Sequence, residues 1–278
     1  MTATLARKPA RCQYEWMGRV TTDLGYAIGF DEAGEGSAVP IVFLHGVGSD
    51  KSVWRPQLLR FAHERRSIAF DYPGYGESDP APEHSGRDDY AAAILSAMSF
   101  LGVDKAHVCG LSLGGVVAIA IRAAAPARCA SLILADSFAR HPEGQAIHER
   151  SIAGADHMRV LAESRVDVLL AQPADPDVRR EVVETMAAID PAAYRIGAKA
   201  VWLADQAARA GDIRVPTLVL CGSEDRVTPP ALSRDLAHLI PGAQYAPVEG
   251  AGHLSNLERP DDFNTLVGAF IRGVDSRA

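Results

Sequence analysis

The sequence has little of what would tie it to a metal, a membrane or a nucleic acid. Cysteine occurs four times, at Cys12, Cys109, Cys129 and Cys221, and never as C-x-x-C. Three of the four lie inside apolar runs, which predicts buried, reduced thiols of a cytosolic protein. There are nine histidines but no H-E-x-x-H and no Cys/His cluster at zinc spacing, so no metal is implied. No apolar run approaches membrane-spanning length. Residues 1–13 carry Arg7, Lys8 and Arg11 but no apolar core, and read as a short frayed leader rather than a signal peptide. Acidic residues outnumber basic ones by 35 to 28, with no Lys/Arg cluster to act as a nucleic-acid footprint. Repeats and low-complexity tracts are absent too. These absences leave a soluble, cytoplasmic protein with a small-molecule partner, no nucleic acid and no membrane; its oligomeric state is not legible.

What is present is a chain of 278 residues, 47% hydrophobic, long enough for one large α/β domain or two small ones. Two short strands, over 14–20 and 25–30, are followed by a polar turn over 31–37. Buried β-rich runs then alternate with helical periodicity: strand 39–44, helix 52–62, strand 67–70, helix 88–101, strand 106–109, a small apolar helix over 116–125, and strand 130–135. This is the rhythm of a parallel sheet with crossover helices. It breaks at Ser137. From there to Asp212 only helical periodicity and scattered prolines occur, which predicts a helical insertion. Strands over 215–221 and 243–248 and helices over 231–239 and 263–271 complete the pattern.

Gly110-Leu111-Ser112-Leu113-Gly114 stands between a strand and a helix. G-x-S-x-G in that position predicts a turn too tight for side chains at its flanks, with the Ser112 hydroxyl lifted above the sheet at a helix N-terminus. Two other strand ends carry Asp225 and His253. The carboxyl edge of such a sheet is where open α/β proteins place their sites. A serine hydroxyl is a poor nucleophile until a base takes its proton. Histidine does so near neutral pH, and a carboxylate on its other ring nitrogen holds the tautomer. The turn His45-Gly46-Val47-Gly48 offers backbone N–H groups. That of Val47, with that of Leu113, would form an oxyanion hole. Asp136, at the end of the strand before the insertion, is a rival acid.

These motifs resemble the α/β-hydrolase family from about residue 25 to the end. The matching residues are His45-Gly46, Asp71-Tyr72-Pro73-Gly74-Tyr75-Gly76-Glu77-Ser78, Gly110 to Gly115, Gly222-Ser223-Glu224-Asp225 and Gly250-Ala251-Gly252-His253. The resemblance implies an eight-stranded, mostly parallel sheet flanked by helices, a cap between its sixth and seventh strands, and no cofactor. The core would be 1–136 with 213–278, and the cap 137–212. Within the family, the elbow and the tail from Gly250 to Pro260 look most like 3-oxoadipate enol-lactonases and related small carboxylesterases. The equivalent of His45 more often supports the oxyanion turn. His45 and Trp202 are nonetheless the candidates for substrate binding, and Arg140, Arg150, Arg159 and Lys199 are candidates for a substrate carboxylate.

The expected activity is hydrolysis of a small ester or lactone through an acyl-enzyme on Ser112. The alternatives are a C–C bond hydrolase using the same triad, a cofactor-free oxygenase or lyase, and a ligand receptor. Haloalkane dehalogenases and epoxide hydrolases carry aspartate at the elbow, where this chain has Ser112.

Overall fold

The computed structural model describes residues 4–7 and 15–277. Expectations attached to Cys12 and to position 14 lie outside these residues. The strands are β1 (Thr4–Arg7), β2 (Glu15–Thr21), β3 (Ala27–Ala33), β4 (Ile41–Leu44), β5 (Ser67–Phe70), β6 (Ala106–Leu111), β7 (Cys129–Ala135), β8 (Thr217–Gly222) and β9 (Gln244–Val248). They form one sheet in the order β1-β2-β3-β5-β4-β6-β7-β8-β9. The six from β5 to β9 run parallel, and β1, β2 and β3 are antiparallel at one edge. Strands β2 to β9 are the expected eight-stranded, mostly parallel sheet, and β1 extends it.

Two local expectations change. Thr4–Arg7, read as part of a frayed leader, pairs with β2. The polar residues Asp31 and Glu32, read as the start of a turn, continue β3 against β5. Glu32 is tolerated there because Arg66 neutralises it with two hydrogen bonds.

The helices in the two flanking layers are α1 (Arg55–Phe61), α2 (Arg87–Phe100) and α3 (Leu113–Ala124). Three more helices follow the insertion, which is described below. Strands β4, β5, β6 and β8 are buried at every position, as expected of strands covered on both faces. Trp54, in a 3-10 turn before α1, stacks on Phe43 of β4 at 4.9 Å and lies 6.0 Å from Phe263. It is a packing residue, as read from the sequence. Among the described residues no helix is long and apolar enough to cross a membrane.

Between β7 and β8 the chain forms α4 (Gly144–Ala153), α5 (Met158–Leu169), α6 (Pro176–Ala187), α7 (Pro191–Trp202) and α8 (Ala207–Gly211), with no strand. Asp175 and Asp190 each cap the helix that follows, accepting two N–H groups, with proline in the first turn. The chain then ends with α9 (Pro230–Leu239), α10 (Ser255–Glu258) and α11 (Pro260–Asp275). Helix α11 packs on α1, while α2, α3, α8 and α9 form a separate contiguous layer. The insertion is not a loose appendage. The His253 N–H donates to the Leu169 carbonyl at 2.7 Å, and Glu258 accepts from the N–H groups of Ala171 and Gly252. One end of α5 is thus stapled to the loop carrying His253.

Candidate active site

The elbow is built as its glycines require. Ser112 sits between β6 and α3 at φ 55° and ψ −112°, in the left-handed region that an L-residue enters only under constraint. Its N–H donates to the Ala135 carbonyl at 2.9 Å, and its carbonyl accepts from Gly115 N–H and from the Ser137 hydroxyl. A Cβ at Gly110 would run into the Gly114 carbonyl, and one at Gly114 into the Leu44 carbonyl. The strained backbone therefore aims Ser112 Oγ away from these anchors. That oxygen is buried and has no hydrogen-bond partner among the described residues. A buried hydroxyl left unsatisfied is costly, and such atoms gather where chemistry is done.

His253 and Ser112 line the same cavity. His253 Nδ1 lies 2.9 Å from Asp225 Oδ2. The Thr228 hydroxyl donates to the same oxygen at 2.7 Å and stands 3.2 Å from Nδ1. Asp225 Oδ1 takes the N–H groups of Val227 and Thr228, at 2.8 and 2.9 Å. Burial opposes the charge on both partners. Burial would lower the His253 pKa, but Asp225 outweighs it and the net shift is upward. Burial would likewise raise that of Asp225, but His253 and the Thr228 hydrogen bonds outweigh it and the net shift is downward. Thr228 was not singled out from the sequence. An Asp followed three residues later by Thr, in a turn entering a helix, is the signal that could have found it.

Asp136, the rival acid, makes a different set of contacts. It has φ 49° and is fully buried. Its Oδ1 accepts from the Gly222 N–H at 2.8 Å and its Oδ2 from the Ser255 hydroxyl. Burial, and then the charge of Asp225, push its carboxyl up to about 8. Asp136, Cys221 and Asp225 bring their ligand atoms within 4.8 Å of one another. The carboxylate oxygens of Asp136 and Asp225 already accept N–H and O–H donors. Burial holds the Cys221 thiol well above its ordinary range. The cluster suits one shared proton better than a metal.

The raised Asp136 value has a consequence for stability. A carboxyl that holds its proton more tightly folded than unfolded stabilises the fold below the unfolded pKa of about 4. That contribution is lost as pH rises toward 8. Asp136→Asn keeps the shape without the charge. Urea melts at pH 5 and pH 9 should show a smaller loss of stability across the interval in Asp136→Asn than in the parent chain. Equal losses would mean that Asp136 is ionised throughout.

The remaining sequence candidates fall into place unevenly. Val47 lines the cavity, while Leu113 begins α3 directly after Ser112. Trp202 lines the cavity and stacks on Phe138 at 5.9 Å. His45 does not reach the cavity and is corrected as a substrate-binding candidate. It is fully buried behind the turn, with Nδ1 2.8 Å from the Gly46 carbonyl and Nε2 accepting from the Tyr72 N–H at 3.4 Å. Burial lowers its pKa, so the neutral ring braces the 45–48 turn. Asp71 does similar work, taking Lys51 Nζ and the N–H groups of Lys51 and Glu77, each at 2.9 Å.

The cavity is small, about 40 Å³, and its outer wall comes from the insertion: Leu169, Val182, Met186, Tyr194 and Trp202. It also holds Arg165, which the sequence reading missed. Leu161, Arg165 and Leu169 follow one another at i, i+4, i+8 on α5, so a charge interrupting an apolar stripe was the available signal. Of the four cations considered for a substrate carboxylate, Arg140 pairs with Asp205, Arg159 pairs with Glu184 and Lys199 is exposed. Only Arg150 lines a cavity, a neighbouring outer groove.

Comparison with known proteins agrees with this architecture. The model of the alpha/beta hydrolase family matches residues 41–266. The chain is similar to 3-oxoadipate enol-lactonase 1 of Acinetobacter baylyi, at 25% identity over 92% of this chain and 97% of that one. It is 30% identical to a 2-hydroxymuconate semialdehyde hydrolase of Pseudomonas sp. strain CF600, over 87% of this chain and 90% of that one. Among solved structures, the enol-lactonase of Burkholderia xenovorans LB400 superposes with a TM-score of 0.85 at 28% identity, covering 91% of this chain and 99% of the other. A sheet of this topology, an elbow serine at its carboxyl edge and a family match across most of the chain lead to one conclusion: the protein belongs to the α/β-hydrolase family and is an enzyme of that type.

Proposed function

We propose that the enzyme is a serine hydrolase that cleaves a small carboxylic ester or lactone through an acyl-enzyme on Ser112. One observation carries this reading: the unpartnered Ser112 hydroxyl, held on a strained elbow, opens into a cavity shared with a histidine whose far nitrogen is held by Asp225. Ser112 Oγ attacks the carbonyl carbon while His253 Nε2 takes its proton. The N–H groups of Val47 and Leu113 receive the developing oxyanion. The tetrahedral intermediate collapses as His253 returns that proton to the leaving oxygen. Water, deprotonated by His253, then attacks the acyl carbon and frees Ser112. In this reading residues 1–136 and 213–278 form the catalytic core, and 137–212 act as a cap that sizes the substrate. The apolar wall from α5, α6 and α7 suits a short acyl chain or small ring.

C–C bond hydrolysis is the second reading, favoured by the similarity to a semialdehyde hydrolase. The purified chain should be assayed against aryl esters, small lactones and a ring-fission dienoate, with a fluorophosphonate probe alongside. The expected result is turnover of esters or lactones and covalent labelling at Ser112. A preference for the dienoate by orders of magnitude would replace the first reading with the second. Oxygen consumption during turnover would point instead to an oxygenase, and binding without labelling or turnover to a receptor.

A further inference from the structure

The loop that carries His253 is built to bend. Glycines stand at 250 and 252, and glycine restricts the backbone least. Space also demands Gly252: a Cβ there would lie 2.6 Å from the Ala171 nitrogen and 2.7 Å from the Leu169 oxygen. A base that takes a proton from a neighbouring hydroxyl cannot ride on a free loop, because misplacement by about 1 Å costs about a hundredfold in rate. Contacts from outside the loop have to hold it.

Those contacts converge on one segment of the insertion, the end of α5 with Leu170 and Ala171. The last carbonyls of a helix have no helical donor. For Leu169 the shortage is written into the sequence, since the residue four positions on is Pro173, which has no N–H. The Leu169 carbonyl accepts the His253 N–H instead, at 2.7 Å. The Asp167 and Leu170 carbonyls accept from the Arg226 guanidinium, the second at 2.8 Å. The helix dipole favours a cation at that end as well. Arg226 adjoins Asp225, so the acid loop and the base loop hold the same few residues. The Ala171 N–H goes to Glu258 Oε2 at 2.7 Å, and Glu258 Oε1 takes the Gly252 N–H at 2.9 Å. The two carboxylate oxygens thus join a main-chain N–H of the insertion to one beside His253. Burial raises the Glu258 pKa, and these N–H groups oppose the rise. The Ala251 carbonyl completes the circuit by accepting the Glu224 N–H at 2.9 Å.

We propose that the end of α5 is a clamp on the catalytic loops and that Glu258 is a positioning residue for His253. The inference rests on the serine-hydrolase reading and extends it: the insertion that walls the cavity also sets where the base stands. Glu258 does not line the inner cavity. It acts through the backbone. The N–H groups of residues 252 and 253 belong to the two peptide planes that flank the Gly252 Cα. Glu258 holds the first plane and the Leu169 carbonyl holds the second. Together they fix the one joint at which the loop would otherwise turn, and with it the point from which the His253 side chain starts. A carboxylate suits this place because it accepts from both N–H groups, and charge strengthens each bond.

Glu258→Gln keeps the shape but turns one acceptor into an NH2 group that faces an N–H. In this variant kcat for an aryl ester should fall by about tenfold to a hundredfold, with KM within about twofold of the parent chain. Fluorophosphonate labelling should slow in step, since it reads the Ser112 and His253 pair without the deacylation half of the cycle. The proton NMR signal of His253 Nδ1–H, carried downfield by its bond to Asp225, should shift or broaden. A carboxylate that served folding alone would lower the melting temperature and leave that signal, and kcat per labelled site, where they were. Where Glu258→Gln does not fold, Arg226→Gln decides. That side chain is exposed, and its loss should move the same readouts in the same direction by a smaller factor. Unchanged kcat per labelled site with an unmoved Nδ1–H signal would overturn the clamp and leave the hydrolase reading intact. A parent chain that neither hydrolyses esters nor labels at Ser112 would remove that reading instead, and the Nδ1–H signal in the variant would still decide for or against the clamp.

Discussion

Ser112→Ala will lose ester turnover by about five to six orders of magnitude, the scale seen when a triad nucleophile is removed, and will fold at least as stably as the parent chain. The two halves of this expectation have one cause. Ser112 Oγ is buried with no partner, so the fold bears its desolvation without any compensating hydrogen bond. Removing the oxygen relieves that cost, and no neighbour is orphaned. The backbone anchors of the elbow, the Ala135 carbonyl and the Ser137 hydroxyl, contact main-chain atoms of residue 112 and survive the change. Ser112→Gly should be more stable still, because glycine occupies φ 55° without strain. Steady-state kinetics, fluorophosphonate labelling and thermal melts on the three chains provide the check. Full activity in the alanine variant would remove the acyl-enzyme from the mechanism. A large drop in melting temperature would mean that the hydroxyl is a structural group instead.

Asp225→Asn should cost about 10⁴-fold in kcat, since an amide in place of the carboxylate favours the wrong imidazole tautomer. It should also move the acid limb of the pH profile, which a structural role alone would not do. In the proposed mechanism His253 works as a base and must be neutral in the free enzyme, so kcat/KM should rise with pH through its pKa. In the parent chain Asp225 overcomes the effect of burial and holds that pKa above the ordinary imidazole value. The limb should therefore lie above about 6.5. Without the Asp225 charge, burial dominates and the limb moves to lower pH, with Asp136 opposing it in part and Arg165 assisting it. Residual activity with an unmoved limb would argue that Asp225 does not face His253 in the working enzyme. Asp136→Asn gives the contrast. That carboxyl holds its proton up to about 8, so its replacement should leave most of the rate in place.

Much of the architecture is legible from local chemistry. Ser112, Asp225 and His253 all follow strands, and their turns demand glycine at defined positions, so their place at one edge of a sheet follows from short stretches of chain. The α/β alternation and the break at Ser137 are legible for the same reason, because hydrophobic periodicity is a property of neighbouring residues. Where the reading failed, the deciding partner was distant in sequence. Glu32 looked like a turn residue until Arg66 lay beside it. His45 looked available to a substrate until the Gly46 carbonyl and the Tyr72 N–H were found on its ring.

The sequence by itself determined the kind of chemistry at hand: a hydroxyl, an imidazole and a carboxylate on glycine-bounded turns, with an N–H turn after the first buried strand. Only the tertiary structure shows which of the two carboxylates meets the histidine. Asp225 meets His253 Nδ1 at 2.9 Å, whereas Asp136 turns to Gly222 and Ser255. It also decided which arginines remain unneutralised, because an ion pair such as Arg209 with Asp88 joins residues 121 positions apart. Motif spacing is written along the chain. Electrostatic pairing is written across it, and at this site the pairing sets Asp225 on His253 and leaves Asp136 with Gly222 and Ser255.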